Sequence, residues 1–268
     1  MNTIIDINEG RSPLQGSLEW HRARLGHWTG SAIGKLMVSG RKKDEVFGDT
    51  AKSYIFKILA ERSLSEKVVE DDEMFALYVE QTGIFNKAVQ WGHDNEEEAR
   101  RLYAELNKVE VTEVSSVEHL DIALYAASPD GCVLSTDKVI EIKCPNPDTA
   151  VRYRYLIKDA ESLKKANSDY YWQVMAEMDC TGATACDFIV YCPFLAEPMY
   201  TVTIPRNDEA IATIHERIAE AEDFIRVLKG DTEEVTETEI SIPGMGDVLE
   251  ELDNLIDSLH PEKKGVKQ

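Results

Sequence analysis

The sequence predicts a mixed α/β (α+β) fold in which a central mixed β-sheet is flanked by helices. Apolar residues recur at helical spacing through roughly the first 110 residues, so the N-terminal part is expected to be mostly helical. Short runs rich in β-branched residues follow between residues 109 and 144, and two more lie between residues 185 and 205. Helices, then strands, then helices with returning strands are typical of a sheet covered by helices.

Four segments of the N-terminal part carry helix signals. The first two segments are short, and Thr29 or Ser31 is placed to cap the second of them. The two longer segments repeat apolar residues three or four positions apart, as Leu102 and Leu106 do in the last one. The predicted helical segments span residues 17–26, 29–37, 49–63 and 88–107.

The chain from residue 109 to residue 230 alternates strand and helix signals. Helices are predicted around Thr149–Asp159 and Asp169–Cys180, and a long amphipathic helix is predicted at residues 207–230. The strand-like runs span residues 109–119, 122–128, 131–135, 138–144, 185–193 and 199–205.

The length of 268 residues suits one large domain, or a domain with an appendage. We expect one domain over residues 1–230 and a separate tail over residues 231–268, because the composition becomes polar and acidic after Gly230. In this tail an acidic linker precedes a short amphipathic helix whose apolar residues form one stripe. That helix either docks on its own domain or binds another protein chain. The residues of the stripe are Val248, Leu249, Leu252, Leu255, Ile256 and Leu259.

The net charge of −21 argues against non-specific binding to nucleic acid, because a polyanion repels a polyanion. The argument is weak for this chain, since its charges are unevenly distributed. Basic residues cluster in residues 22–43 and 152–165, while the tail is strongly acidic. A local basic surface on an acidic body is compatible with a channel for DNA.

The five cysteines form no CxxC pair, and no signal peptide is recognisable at the start of the sequence. No apolar run approaches the roughly 18 residues that indicate a membrane span. We therefore expect a reduced, cytoplasmic protein with no membrane partner. The cysteines are expected to be small buried hydrophobic residues, and Trp20 and Trp91 are expected to be core residues.

Two acids and a base lie close together in the run SPDGCVLSTDKVIEIKCP, residues 128–145. Asp130 lies in a turn-like segment, and in the following strand Glu141 and Lys143 project from one face while Ile142 projects from the other. If the strands at Asp130 and Glu141 form a hairpin, their carboxylates meet, and the repulsion between them favours a shared hard cation, Mg²⁺ or Mn²⁺. Lys143 beside that ion could orient or deprotonate a water, or stabilise charge on a phosphate.

Taken alone, this pattern has a second interpretation, in which Asp130 begins a turn and Glu141 and Lys143 form a solvated ion pair. Further stretches weigh against it, namely EWHRARLGHWTGSAIGKLM, WGHDNEEEARRLY and YYWQV. Together with SPDG and EIKCP, these stretches follow one another in the order in which a known family of nucleases carries them. From Glu19 to about Tyr191 the sequence resembles the phage lambda-type exonucleases (YqaJ-like viral recombinases) of the PD-(D/E)xK nuclease superfamily.

The resemblance implies a restriction-endonuclease-like core and a catalytic metal site. Glu96, five residues after the Trp of the WG stretch, matches a metal-binding glutamate. Asp130 and Glu141 match the other two metal-binding acids, and Ile142 would add its carbonyl oxygen. Lys143 matches the catalytic lysine.

The resemblance also implies a pocket for the 5′-phosphate of a DNA end. Arg24 and Ser31 match positions that hold this phosphate, and Ser128 could add a hydrogen bond to it. Gln173 matches the glutamine of the helix after the catalytic strands and is assigned both to catalysis and to this pocket. Simpler interpretations are a surface salt bridge for Arg24, a helix cap for Ser31 and a buried amide for Gln173.

The function implied by the resemblance is that of a Mg²⁺-dependent exonuclease, with Mn²⁺ as a substitute. It would digest one strand of linear double-stranded DNA from 5′ to 3′ and leave a 3′ overhang for phage-type recombination. The implied partners are double-stranded DNA ends, two further copies of the chain in a homotrimer ring, and a single-strand annealing protein. A ring with an acidic exterior and a basic lumen would reconcile the net charge with DNA binding.

Two alternative functions are compatible with the same residues. An endonuclease of this superfamily, of restriction, repair or CRISPR-associated type, would cut covalently closed circular DNA. The iron–sulfur members of the last type need four clustered cysteines, and the cysteine spacing argues against them. A non-catalytic DNA-end-binding module would give no Mg²⁺-dependent product.

Overall fold

A computed structural model describes residue 13 and residues 16–41, 45–83 and 87–230. The predicted fold class is confirmed, because mixed β-sheets in this part of the chain are flanked by helices. The helices are α1 Leu18–Ala23, α2 Gly30–Leu36, α3 Asp49–Glu61, α4 Glu66–Glu70, α5 Asp72–Thr82, α6 Lys87–Asn107, α7 Pro147–Leu156, α8 Ala160–Ala166, α9 Ser168–Thr181 and α10 Asp208–Lys229. The strands are β1 Trp28–Thr29, β2 Val111–Thr112, β3 Val117–Glu118, β4 Tyr125–Ala127, β5 Gly131–Val133, β6 Lys138–Lys143, β7 Ala185–Tyr191 and β8 Met199–Pro205.

The larger sheet has five strands in the order β2-β5-β6-β7-β8. Its strands β5 and β6 form the predicted antiparallel hairpin, in which Gly131 pairs with Ile140. Strands β6 and β7 run parallel, so the chain between them must cross back over the sheet, and α7, α8 and α9 make that crossover. A smaller sheet in the order β1-β4-β3 was not predicted as a separate sheet.

Helix α9 lies at the centre of the fold and is buried along most of its length. Asn167 caps its first turn by accepting a hydrogen bond from the Tyr170 amide, and Gly182 ends the helix in the left-handed conformation that glycine adopts without strain. Helix α2 crosses α9 at close range, because a Cβ on Gly34 would lie only 2.8 Å from the Cα of Asp169. This close approach brings the N-terminal segment against the helix that carries Gln173.

Strand β6 separates two hydrophobic clusters. Val139 belongs to the larger cluster, which includes most of the buried residues of α9 and α10. Ile140 and Ile142 belong to a smaller cluster, with Ala99 and Tyr103 of α6. The alternation predicted for this strand is therefore confirmed, with Ile142 packed on the α6 side.

Three helices carry little of the apolar periodicity that identifies helices in a sequence, and they were not predicted. Helix α5 buries only Phe75, and its first turn is capped by the carboxylate of Asp71. Helix α8 begins with a capping box between Asp159 and Ser162, which is a polar rather than an apolar signal. Helix α4 has no buried residue.

Some predictions about core residues were wrong. Leu106, which the helical pattern groups with Leu102, is 64% exposed. Trp20 and Trp91 are only half-buried and lie outside both clusters. Trp91 instead stacks on exposed Phe194, with 5.3 Å between the ring centroids.

The cysteine expectation is met by Cys132, Cys180, Cys186 and Cys192, which are free and buried, whereas Cys144 is half-buried. In the part of the chain that the structure describes, every helix is too short or too polar to span a bilayer. The amphipathic helix predicted at residues 248–259 lies outside the described residues. That helix and the domain division at residue 230 therefore stay predictions.

Glu222 of α10 joins three distant parts of the chain. Its carboxylate accepts hydrogen bonds from the buried Trp28 indole at 2.6 Å and from both Arg62 Nη atoms at 2.9 and 2.8 Å. Arg62 also donates from Nε to the Gly26 carbonyl at 2.8 Å. Burial alone would raise the pKa of Glu222, but the hydrogen bonds from Arg62 and Trp28 outweigh it and lower the pKa.

We predict that Glu222→Gln lowers the free energy of unfolding by about 1 kcal/mol at pH 7, a modest value because the side chain is over a third exposed. This loss of stability is complete above a pH of about 4.3, the pKa of a glutamate in the unfolded chain. It disappears as the pH falls through the lowered pKa of Glu222 in the folded protein. Urea unfolding at pH 7 and below pH 4 measures both. The control Asp223→Asn removes an exposed pair with Arg226 and should cost less than about 0.5 kcal/mol. Equal losses in both variants would contradict the prediction.

Candidate active site

The β5–β6 hairpin places two predicted acids beside each other. Asp130 directly precedes β5, and its amide donates a hydrogen bond to the Ile140 carbonyl at 3.0 Å. Its Oδ2 accepts a hydrogen bond from the Ile142 amide at 2.6 Å, so the side chain folds back over the partner strand. Asp130 and Glu141 are 5% and 1% exposed. Both carboxylates are therefore held inside the protein at one end of the hairpin.

Glu141 is surrounded by a hydrogen-bonded network from β6 and α9. Lys143, on the same face of the strand, forms an ion pair with Glu141 Oε1. The Gln173 Nε2 group donates to the same oxygen at 2.7 Å, and the Lys143 ammonium donates to Gln173 Oε1 at 3.1 Å. The Lys143 ammonium also lies 4.8 Å from the centroid of the Tyr170 ring. The lysine, the glutamine and the acid thus fix one another.

Helix α6 supplies the third predicted acid, Glu96, which is half-buried. One turn later, Arg100 donates from Nε to the backbone carbonyl of Asp130 at 2.8 Å. Ala99 packs against the sheet in the same cluster as Ile142. These two contacts fix the helix against the hairpin, so Glu96 faces the same cleft as Asp130.

The acids of the cleft perturb one another strongly. Burial, and then the negative charges of Glu141 and Glu96, raise the pKa of Asp130 well above its usual range. Burial alone would lower the pKa of Lys143, but the charges of Glu141 and Asp130 more than offset it and raise that pKa. Such mutual perturbation is typical of functional sites, although buried structural ion pairs also produce it.

Arg24, at the end of α1, forms a cationic pocket next to the acids. Its Nη1 group donates to Ser128 Oγ at 2.5 Å, and its Nη2 group is 3.5 Å from Ser31 Oγ. The guanidinium lies 4.1 Å from the Trp20 ring centroid, and burial lowers the pKa of Arg24 to about 10, so the group stays charged at neutral pH. Among the described residues it pairs with no carboxylate. The surface salt bridge considered for Arg24 is therefore absent from that part of the chain.

One cleft of about 170 Å³ unites the two parts of the site. Every residue that the sequence assigned to the site lines it, and Trp20 is added to them. The lining consists of Trp20, Arg24, Ser31, Glu96, Ser128, Asp130, Glu141, Ile142, Lys143 and Gln173. Residues from the N-terminal segment, from α6, from the hairpin and from α9 thus meet at one place.

The residues of the cleft fit a hard divalent cation. Glu141 Oε2 is buried and has no hydrogen-bond partner among the described residues, so one lone-pair site faces the interior unused. Carboxylate oxygens of Glu96, Asp130 and Glu141, with the Ile142 carbonyl, make an all-oxygen donor set of the kind that suits Mg²⁺ and Mn²⁺. The other Glu141 oxygen is engaged by Lys143 and Gln173.

A second cluster has closer spacing but the wrong chemistry for a metal. In the described residues, the ligand atoms of His119, Asp179 and His215 all lie within 4.8 Å of one another, which the acids of the cleft do not achieve. However, His119 Nδ1 accepts hydrogen bonds from the amides of Asp121 and Ile122 at 3.1 and 3.0 Å. The ring hydrogen therefore sits on Nε2, the atom that would have to bind the metal. We interpret this cluster as a hydrogen-bonded link between α9 and α10.

The sequence analysis did not predict some residues of the site. Glu177, Arg100 and Trp20 contact the predicted residues directly. Each lies four positions from a predicted residue on the same helix or segment, so helical spacing alone could have identified them.

Acidic side chains from a helix and a hairpin around a half-buried lysine, in a cleft beside a cationic pocket, form a candidate site for phosphodiester hydrolysis. The profile of the YqaJ-like viral recombinase domain matches residues 19–184, and the chain belongs to that family. The resemblance drawn from the sequence motifs is thereby confirmed.

Solved structures agree with this assignment. An alkaline exonuclease from Laribacter hongkongensis (LHK-Exo) is 30% identical, with a TM-score of 0.60 over 80% of this chain and 97% of its own. The same protein in complex with dAMP gives a TM-score of 0.61. A phage-related exonuclease from Haemophilus somnus, 18% identical over 77% of this chain and 96% of its own, shares the fold with a TM-score of 0.57. A search of curated proteins finds no significant match. The family and the LHK-Exo structures support a nuclease that acts on DNA.

Proposed function

We propose that the protein is a Mg²⁺-dependent exonuclease that digests one strand of linear double-stranded DNA from its 5′ end and leaves a 3′ overhang for recombination. The observation that carries the proposal is the single cleft in which a cationic pocket adjoins three acids and a lysine. The LHK-Exo relative is named an alkaline exonuclease, which supports the same class of reaction.

In this mechanism Glu96, Asp130 and Glu141, with the Ile142 carbonyl, would hold the divalent ion. A bound ion of this kind lowers the pKa of a water ligand and offsets negative charge on the scissile phosphate. The protein's own part is to keep these oxygens in a buried, rigid cleft, where electrostatic interactions are stronger than in water.

Lys143 acts beside the acids as a positioned hydrogen-bond donor. Its ammonium is held by Glu141 and by Gln173 Oε1 at 3.1 Å, so its remaining donor capacity is directed into the cleft. In that position it orients the attacking water and stabilises charge on the phosphate oxygens. Gln173 keeps the lysine and Glu141 in register with each other.

Arg24, with Ser31 and Ser128, holds the 5′-phosphate of the DNA end. The guanidinium is a rigid, charged donor that suits phosphate. The hydroxyl groups of Ser128 and Ser31 already contact its Nη1 and Nη2 atoms. Because Ser128 and Asp130 are two residues apart, the held phosphate and the acids stay at a fixed short separation. An enzyme built in this way selects the bond next to an end.

The main test compares linear and covalently closed circular duplexes of the same sequence. We predict Mg²⁺-dependent loss of one strand from the 5′ ends of the linear DNA, intact circles, and no product in EDTA. Lys143→Ala should reduce the rate at least about 100-fold. The control Lys138→Ala, at the other end of β6 and paired with Asp187, should stay within about twofold of wild type.

Each contrary outcome of this test has a definite meaning. Cleavage of circles would favour an endonuclease, and strand loss from 3′ ends would reverse the proposed polarity. Binding of DNA ends without any Mg²⁺-dependent product would favour a non-catalytic module.

The phosphate pocket is tested by comparing duplexes with and without a 5′-phosphate. We predict that wild type prefers the phosphorylated end by about tenfold and that Arg24→Gln lowers the preference to about twofold or less, because two charge-assisted donors are lost. Arg22→Gln is the matched control, since Arg22 lies on the same helix but pairs with Asp72. An unchanged preference in Arg24→Gln would remove this residue from the pocket.

We also propose, from the family resemblance, a homotrimer ring around DNA in the cytoplasm, working with a single-strand annealing protein. A ring allows a basic lumen inside an acidic exterior, which suits a net charge of −21. Sedimentation velocity should give a mass near 90 kDa, three times the 30.2 kDa chain, and a larger species on addition of a phage annealing protein. A monomer at micromolar concentration would contradict the ring.

A further inference from the structure

Glu177 is a fourth acid at the site, and neither the sequence motifs nor the metal site accounts for it. It lies one turn after Gln173 on α9 and is 1% exposed. Its Oε1 accepts a hydrogen bond from Gln173 Nε2 at 3.0 Å, and its carboxyl group also lies within hydrogen-bonding reach of the Glu141 carboxylate. Burial, and then the charge of Glu141, raise the pKa of Glu177 well above its usual range.

A buried acid in this place has a cost that an apolar residue would avoid. Replacing buried charged groups by well-packed apolar residues is often neutral or stabilising. The surroundings of Glu177 on α9 are apolar, with Val174 and Met178 fully buried beside it. A buried carboxyl group in this apolar stretch breaks the local rule, and residues that do so are commonly functional.

The hydrogen bonds of the Gln173 side chain show what Glu177 provides. A primary amide has two N–H donors on one end and an acceptor oxygen on the other. Gln173 Nε2 donates to Glu141 Oε1 at 2.7 Å and to Glu177 Oε1 at 3.0 Å, so both donors are used. Gln173 Oε1 accepts from the Lys143 ammonium at 3.1 Å.

This pattern fixes the amide in one of its two orientations. Turning the amide over would direct its NH₂ group at the Lys143 ammonium and its oxygen at two carboxyl oxygens, losing all three hydrogen bonds. Without Glu177, one buried N–H would be left unpaired, at a cost of about 1–3 kcal/mol. The acceptor oxygen of Glu177 serves this purpose whether the carboxyl group is ionised or protonated.

We infer that Glu177 is a positioning residue: by accepting the second hydrogen of the Gln173 amide, it holds that amide so that its oxygen places the Lys143 ammonium and its nitrogen places Glu141. The inference rests on the proposed nuclease function. Glu177 acts through Gln173 and makes no contact with DNA in this role.

The test is a double-mutant cycle measured by single-turnover and steady-state digestion of linear duplex. Glu177→Met removes the acceptor at similar volume and should lower kcat about tenfold, with KM for duplex ends within about twofold. Glu177→Gln keeps an acceptor oxygen and should stay within about threefold of wild type. In a Gln173→Ala background, Glu177→Met should change the rate less than about twofold, since coupled residues are not additive.

Thermal unfolding of every variant separates positioning from folding. Glu177→Met loses one buried hydrogen bond but also removes a buried carboxyl group, so it should stay folded at the assay temperature and melt close to wild type. A loss of kcat in a protein that is still folded cannot be ascribed to unfolding. Glu177→Ala serves as a second acceptor-free variant and should lose kcat as Glu177→Met does, with a lower melting temperature because truncation of a buried side chain leaves a cavity.

Several results would overturn the inference. They are full activity in both acceptor-free variants, equal losses from Glu177→Gln and Glu177→Met, or the same fold loss from Glu177→Met with and without Gln173. A wild-type protein that digests no linear duplex would instead refute the proposed function itself, so the two failures are distinguishable.

Discussion

The carboxylate of Glu141, buried between a lysine and a glutamine, is the interaction on which the rest of the site depends. An ion taken from water into a protein interior costs several kcal/mol unless it is paired and hydrogen-bonded. Lys143 supplies the charge from the same face of β6, and Gln173 supplies a hydrogen bond from α9. The strand register and the docking of α9 must therefore both be maintained, because a change in either would take the Gln173 hydrogen bond away from the buried carboxylate.

The sheet enforces this arrangement through its alternation. Ile140 and Ile142 pack towards α6, and Glu141 between them faces α9. A slip of one residue would exchange the two faces, placing an acid in the apolar cluster and isoleucines beside Gln173. The close approach of α2 to α9 at Gly34 adds the N-terminal segment to the same layer. The geometry around Glu141 is thus a property of packed secondary structure.

The residues that could be predicted from the sequence are those whose signals are local. The two strands of the hairpin follow from the β-rich runs at residues 131–135 and 138–144, and the alternation around Ile142 is present in the structure. The smaller sheet pairs β1 with β4, almost a hundred residues apart, and two-residue strands leave too little pattern to identify. Glu177 was missed because it lies within an apolar helical run, although its partner Gln173 is only one turn earlier on the same helix.

The short distance between the cationic pocket and the acids determines which phosphodiester bond reaches the acids. Ser128 contacts Arg24, and a single proline separates Ser128 from Asp130. The Cα atoms of Ser128 and Asp130 are therefore at most about 7 Å apart. Proline fixes its own φ and restricts the residue before it, which limits how far that separation can vary. On the proposed function, the scissile bond is therefore chosen by its distance from a held phosphate and not by base sequence. An internal stretch of duplex offers no terminal phosphate to Arg24. The pocket therefore favours removal of nucleotides from a DNA end over cleavage within the duplex.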